Sequence, residues 1–446
     1  MAPDPFDWNA EICKTEVTGD ILQCTSHVEA QGQINLTDII GILPSPDSDS
    51  RFRLLFLVRP ACGDKEVLGW LEKTDIPSLP PSLSPFLIKL PDHLRHVKPV
   101  QVIISTLSGT GTARIVYRDL LRPFLSYLGI NHQAHETQST HTISELSRSQ
   151  FLEDACAGTP QTIILLSGDG GLVDILDVFY KSTRDIQTPP HITLVPCGTG
   201  NAMASSIGLR SGPSSSLTAL LNGKPFPLPV FAATLSPGSQ LVIDEGRQRT
   251  AIGHESNASH QTIYGAVVAS WGLHAALVAD SDTVEYRKFG SERFKMAAQE
   301  LLYPSDGTEP HRFQGKITYL TAHGQEESIE NDEHMYVLAS LVPRLEKDFL
   351  ISPDSEPLEG QMRFLRFGPL PAVEAMRLMT LAYQGGQHVH EATVTYEAVD
   401  QLRIEFLEDL ERWRRVCIDG KIVVIEKGGW MELRKESRQL LEIIKS

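Results

Sequence analysis

Apolar and polar positions fall into two textures along this chain. Between residues 97 and 222, short unbroken apolar runs recur: Val100-Gln101-Val102-Ile103-Ile104, Thr162-Ile163-Ile164-Leu165-Leu166 and Ile192-Thr193-Leu194-Val195. Runs of this length suit strands covered on both faces, as in a parallel sheet. After the first run, Val116, Tyr117, Leu120, Leu121, Phe124 and Leu128 keep helical spacing, and Leu172, Ile175, Leu176 and Phe179 repeat it after the second. Strand–loop–helix units in series predict an open α/β sheet whose ligands sit at the carboxyl ends of its strands. A stretch rich in Ser, Gly and Pro, from Ser211 to Pro229, reads as a linker or crossing strand. Beyond it, Thr262 to Val268, Lys316 to Leu320 and Met335 to Ala339 read as antiparallel strands. One helix interrupts them, with Phe294, Ala297, Ala298, Leu301 and Leu302 on one face. Residues 223–446 are thus expected to form a mainly β unit.

At 446 residues the chain is too long for one ordinary core. Its 41% hydrophobic and 22% charged residues are those of a globular protein, and no apolar run approaches the roughly 20 residues that span a bilayer. The first residues, MAPDPFDWNAEICK, are acidic and carry proline, unlike a signal or transit peptide. The six cysteines are scattered with no CxxC spacing, so free thiols are expected rather than disulfides or a zinc site. The net charge of −16 argues against nucleic acid and against strong attraction to an anionic membrane.

Each buried strand ends in a glycine-bearing loop. The first reads Ser105-Thr106-Leu107-Ser108-Gly109-Thr110-Gly111-Thr112-Ala113, the second Ser167-Gly168-Asp169-Gly170-Gly171, the third Pro196-Cys197-Gly198-Thr199-Gly200-Asn201. Glycine lets backbone N–H groups close on an anion, and a following helix N-terminus adds a favourable dipole. A single such loop is ordinary strand-to-helix punctuation. Three in order, one with Asp between glycines, point to a cradle for a triphosphate. A dinucleotide fingerprint fails, because Gly109-Thr110-Gly111-Thr112-Ala113 runs on into Arg114. A Walker A loop fails too, because Gly223-Lys224 is followed by Pro225.

The set resembles the diacylglycerol kinase and sphingosine kinase superfamily, which carries a Gly-rich first loop, then G/S-G-D-G, then P-x-G-[ST]-G-N. The second loop begins with Ser167, as in sphingosine kinases. The stretch from Ala279-Asp280-Ser281-Asp282 through Glu285 to Phe294 is similar to the sphingosine kinase segment with acidic residues and two arginines around a glycine. Ile418-Asp419-Gly420-Lys421 stands in the place of an Asp-Gly-Glu element. The resemblance covers roughly residues 97 to 430. It implies an α/β fold: a Rossmann-like nucleotide-binding domain followed by a mainly antiparallel β-sandwich domain, with the active site between them. The expected division is 97–222 for the catalytic, ATP-binding domain and 223–446 for the lipid-binding domain. Residues 1–96 hold strand-like pieces such as Phe52 to Val58 and a proline-rich stretch from Pro77 to Pro91. They are expected as strands packed on the lipid domain.

Carried over residue by residue, the resemblance makes Asp169 the catalytic base, since a lipid hydroxyl must lose its proton as the γ-phosphoryl arrives. Ser105, Thr106, Ser108, Gly109 and Gly111, with Ser167, Gly168, Gly170, Gly198, Thr199 and Gly200, form the nucleotide loops. Thr137, His141 and Asp174 match the family's nucleotide segment, while Asp419 and Gly420 belong to the late element. Arg287 and Arg293 would neutralise phosphate, or pair with Glu285 and Glu292 as surface ion pairs. Asp280 or Asp282 would meet the substrate headgroup, or serve as turn residues. The cofactors implied are ATP and Mg2+, with no metal ligand assigned. The expected enzyme is cytoplasmic with transient, peripheral membrane contact, and its substrate a sphingoid base. A diacylglycerol or ceramide kinase is the alternative within the class. Lys421, standing where the family carries an acid, keeps open a nucleotide-binding regulator without catalysis.

Overall fold

The computed structural model describes residues 6–46, 50–59, 69–106, 109, 111–209, 212–252, 261–290 and 292–446. The three apolar runs form the strands Val100–Ile104, Thr162–Ser167 and His191–Pro196, in parallel pairing. Alternation splits their side chains between two faces. Val102, Ile104, Ile164, Leu166 and Val195 join the core under the first helix. Ile103, Ile163, Leu165, Ile192 and Leu194 join the core on the other side. The helical run after the first strand spans residues 113–127, with one wide turn at Tyr117–Leu121. Five of its six expected apolar residues are buried and Tyr117 is half-buried.

Three more strands complete this sheet. His132–Glu136 flanks Val100–Ile104, while Glu442–Lys445 runs parallel to His191–Pro196 and carries Lys224–Pro227 antiparallel on its outer edge. The last two belong by sequence to the stretch read as the β unit. The chain leaves the parallel sheet, builds everything from Val230 to Glu436, and returns to it.

What lies between is a curled antiparallel sheet of fourteen strands. Trp271 is fully buried at its centre, edge-on to Phe313 and Phe406. The apolar run at 262–268 is broken between Gln261–Gly265 and Val268–Gly272. The two units share one core, in which Ile175, Phe179 and Ile192 meet Val267, Leu273, Tyr336 and Leu365. Tyr180 of the parallel unit packs with its ring tilted against Tyr264, 5.3 Å between centroids, and donates to the Arg438 carbonyl at 2.8 Å.

The first 96 residues contribute two three-stranded antiparallel sheets, Ile12–Thr18 with Ile21–Ser26 and Gln31–Asn35, and Ile39–Pro44 with Phe52–Val58 and Trp70–Ile76. They share a core of their own. The second sheet also packs Ile40, Leu55, Leu57 and Leu71 into one cluster with Val100, Val102, Leu120 and Phe124. This corrects the expectation that residues 1–96 lie on the lipid domain. The outward apolar face of helix 113–127 needs a cover, and these strands supply it.

Candidate active site

Equal register sets the site. His191–Pro196 and Thr162–Ser167 pair residue for residue, and Ile104 lies opposite Leu166, so all three loops leave the sheet at one level. Their backbones then touch. A Cβ on Gly198 would lie 2.3 Å from the Gly168 Cα, and one on Gly109 would lie 2.5 Å from the Cys197 carbonyl oxygen. Gly109 also has φ +54°, a left-handed conformation that favours glycine. By contrast, Gly111 and Gly170 border open space. The first loop is pinned by Thr137: Thr106 N donates to Thr137 Oγ1 and Thr106 Oγ1 to the Thr137 carbonyl, both at 2.9 Å. Thr137 is buried, so its contribution is to hold the loop. Ser105 donates its N–H to Leu166 O at 2.9 Å, and Ser167 O accepts from Cys197 N at 3.0 Å. Ser108 lies outside the described residues.

In the third loop Asn201 takes the left-handed conformation at φ 51°. Its amide clamps Gly198, accepting from its N–H at 2.9 Å and donating to its carbonyl at 2.7 Å. This turns the chain into helix Ala202–Ser206 with the first N–H groups of that helix facing Asp169. Asp169 accepts from Ala202 N at 2.7 Å and Met203 N at 3.0 Å. Burial pushes its carboxyl above the ordinary range, and those two N–H groups pull it back. A carboxylate has about four lone-pair positions, so Asp169 keeps acceptor capacity for a substrate hydroxyl.

A second buried carboxylate stands beside it. Asp419, at φ 46°, accepts from the N–H groups of Ala266, Val267 and Val268 at 2.6–3.2 Å. These donors are the break in the 262–268 run, so the missing ladder bonds go to Asp419. Burial lifts its carboxyl to about 7, and the charge of Asp169 acts the same way. Burial likewise lifts Asp174 to about 6, against the pull of Lys421. His141 is exposed and acts on Asp174 only through its charge.

The two carboxylates line a cavity of about 810 Å³, together with Gly109, Gly198, Thr199, Gly200, Asp174 and Gly420. Its lining also carries apolar side chains, Leu277, Phe294, Phe349, Met376 and Met379 among them. Arg287 and Arg293 line it too. Both turn to Asp282, at 2.9 and 3.6 Å, whereas Glu285 and Glu292 are taken by Lys288 and Lys295. Arg293 is mostly buried and its Nε has no partner.

Asp282 lines the cavity, but Asp280 is not among the lining groups. Arg412 and Arg415 hold its carboxylate at 2.9 and 2.7 Å. The expectation of Asp280 at a headgroup is corrected on that ground, since a carboxylate already shared by two guanidinium groups has little left to offer. Sequence reasoning missed His274, Tyr336, Glu346 and Tyr383, all of which line the cavity. Tyr336 sits in an apolar strand and Glu346 in a charged Leu-Glu-Lys-Asp run, so neither carried a local signal.

No group of three or more His, Cys, Asp or Glu side chains is placed to hold a metal ion among the described residues. Asp169 and Asp419 together form a buried pair of negative charges that would welcome a cation brought in with phosphate oxygens.

Comparison with known proteins agrees with this geometry. Residues 99–233 match the diacylglycerol kinase catalytic domain. Sphingosine kinase 2 of Homo sapiens is 22% identical over 277 residues, covering 60% of this chain and 36% of that protein. Sphingosine kinase 1 of Arabidopsis thaliana is 22% identical over 348 residues, covering 70% of this chain and 65% of that protein. The chain thus spans less than two thirds of each of these relatives. Crystal structures of a putative diacylglycerol kinase from Bacillus anthracis str. Sterne share the fold at TM-scores of 0.52 and 0.53 and 14% identity, over 78% of this chain and 97% of theirs. Residues 99–233, which carry the three loops and the buried Asp169, thus match a diacylglycerol kinase catalytic domain, in a chain similar to sphingosine kinases.

Proposed function

We propose that the protein is an ATP-dependent lipid kinase that transfers the γ-phosphoryl group to a lipid hydroxyl, with a sphingoid long-chain base as the favoured substrate. The observation that carries this is the position of Asp169, where the three touching loops open into a cavity that also carries apolar side chains. Phosphates would lie against the backbone N–H groups of Gly198, Thr199 and Gly200, and Arg287 and Arg293 would take up charge that develops in transfer. Asp169 would accept the hydroxyl proton, and the acyl or alkyl chain would lie along apolar side chains of the cavity. Mg2+ bound to the triphosphate would face Asp169 and Asp419, and supplies charge neutralisation between the phosphates.

A neutral glycerolipid is the second reading, favoured by the withdrawal of Asp280 into its arginine pairs. No helix of the described residues is long and apolar enough to cross a membrane, in keeping with an enzyme that meets lipid surfaces transiently. The test is transfer from radiolabelled ATP to a panel of sphingoid base, diacylglycerol and ceramide. Faster labelling of the sphingoid base supports the first reading, preference for diacylglycerol the second, and nucleotide binding without labelling would overturn both.

A further inference from the structure

The same cavity contains a carboxylate that carries no ion pair among the described residues. Glu346 lines it beside Phe349, Met376 and Tyr383. Its carboxylate accepts one long hydrogen bond, from Tyr383 Oη at 3.4 Å. The cations that act on it are engaged elsewhere: Lys295 holds Glu292 at 2.8 Å, and Arg293 holds Asp282 and the Ser281 carbonyl. Burial accordingly lifts the Glu346 carboxyl to about 7. Glu346 is half-buried, and a second polar group on the lining is deeper and has no partner at all. The hydroxyl of Tyr336 is buried without a partner, on a residue that is 1% exposed and lines the same cavity. Tyr383 is close enough to act on it electrostatically. Buried polar groups are ordinarily satisfied. An unpartnered buried hydroxyl and a half-buried carboxylate without a cation of its own, on one cavity, mark where a ligand supplies what the protein does not.

Building on the lipid-kinase reading, we propose that Glu346 and Tyr336 form the headgroup seat of the cavity. Glu346 takes the ammonium of a cationic long-chain amine, and Tyr336 Oη bonds a hydroxyl of the same head. This assigns to Glu346 the selectivity that Asp280 does not provide. A neutral head would leave the carboxylate desolvated and unpaired, and an anionic head would be repelled.

The experiment measures binding of two fluorescent probes in detergent micelles to the full chain: a long-chain 2-amino alcohol and the matched 1,2-diol. The parent should bind the amino alcohol about ten-fold tighter or more, the scale of a desolvated charge contact. Glu346→Gln keeps the shape, should bring the two probes to within about two-fold by weakening the amino alcohol and sparing or tightening the diol, and should leave ATP affinity unchanged. Tyr336→Phe should weaken both probes together. Equal binding of the probes by the parent, or an amine preference that survives Glu346→Gln, would overturn the seat. Labelling of either probe from radiolabelled ATP is scored separately. A protein that phosphorylates both probes without discrimination keeps the kinase activity and loses this seat. One that prefers the amine through Glu346 but labels neither keeps the seat and loses the kinase activity.

Discussion

Lys421 Nζ lies 2.5 Å from Asp177 Oδ2 and 3.8 Å from Asp174 Oδ1, joining the turn after Asp419 to helix Asp169–Lys181. The lysine that stands in place of the family's acid is thus matched by two carboxylates on the facing helix, and the charge reversal is balanced locally.

Lys421→Glu should therefore not restore an ancestral arrangement. It sets a third carboxylate against Asp174 and Asp177 and breaks a pair whose side chains are 25% and 16% exposed. Removing one partner of a fully buried pair costs about 3–5 kcal/mol, and partial exposure reduces that to about 2 kcal/mol. Calorimetry should show a melting temperature several degrees lower, with a milder loss for Lys421→Met. A variant as stable as the parent would show that the pair does not tie the two units together.

Asp169→Asn tests the proposed base. The amide keeps one acceptor oxygen but turns a donor toward Ala202 N or Met203 N, so about 1–2 kcal/mol of stability should go. Loss of a general base lowers transfer by about 10²–10⁴-fold. ATP affinity should stay close to that of the parent, because the backbone N–H groups remain. Unchanged labelling of the best lipid by this variant removes Asp169 from the mechanism.

The glycines of the third loop should respond unequally. A Cβ on Gly198 meets the Gly168 backbone at 2.3 Å, whereas one on Gly200 meets only the Leu345 carbonyl oxygen at 3.2 Å. Gly198→Ala must push two loops apart, and titration calorimetry should show ATP affinity down by about ten-fold or more. Gly200→Ala should retain most of it. Equal behaviour of the two variants would mean that loop contact does not shape the nucleotide site.

Asp174 and Asp419 give the fold a pH dependence of definite sign. Both are held by burial above the ordinary aspartate value of 3.8, at about 6 and about 7. Between these limits the folded chain keeps protons that the unfolded chain has released, so this contribution to stability falls as pH rises from about 4 to about 7. Paired acids such as Asp75, held low by Arg53, act oppositely, so the comparison is between parent and variant. Urea midpoints at pH 5 and pH 8 should differ by a smaller drop in Asp174→Asn than in the parent. An identical drop would place the Asp174 carboxyl at its ordinary value.

The parallel sheet was legible because its strands are apolar on both faces and its loops carry glycine where backbones meet. Asp169 stood out for the same reason, lying between glycines at a strand end. Asp419 was found only through the resemblance, since its role depends on a break in a strand some 150 residues earlier, at Ala266 to Val268. Arg287 and Arg293 were found with the wrong partners in view, because spacing along a helix cannot reveal that Asp282 folds back between them. Glu346 and Tyr336 were invisible, because a missing partner is a property of the packed cavity and not of the neighbouring sequence.

His191 and Glu442 lie side by side in the parallel sheet, and the whole antiparallel unit is strung between them. A ribosome must therefore finish that unit before the nucleotide sheet can acquire its fifth strand. Until then the edge of His191–Pro196 stays open, a ready template for another chain. Newly made protein should depend on chaperones most in the interval before Glu442–Lys445 emerges. Substitutions that slow the antiparallel unit should then surface as aggregation through the nucleotide half, far from the altered residue.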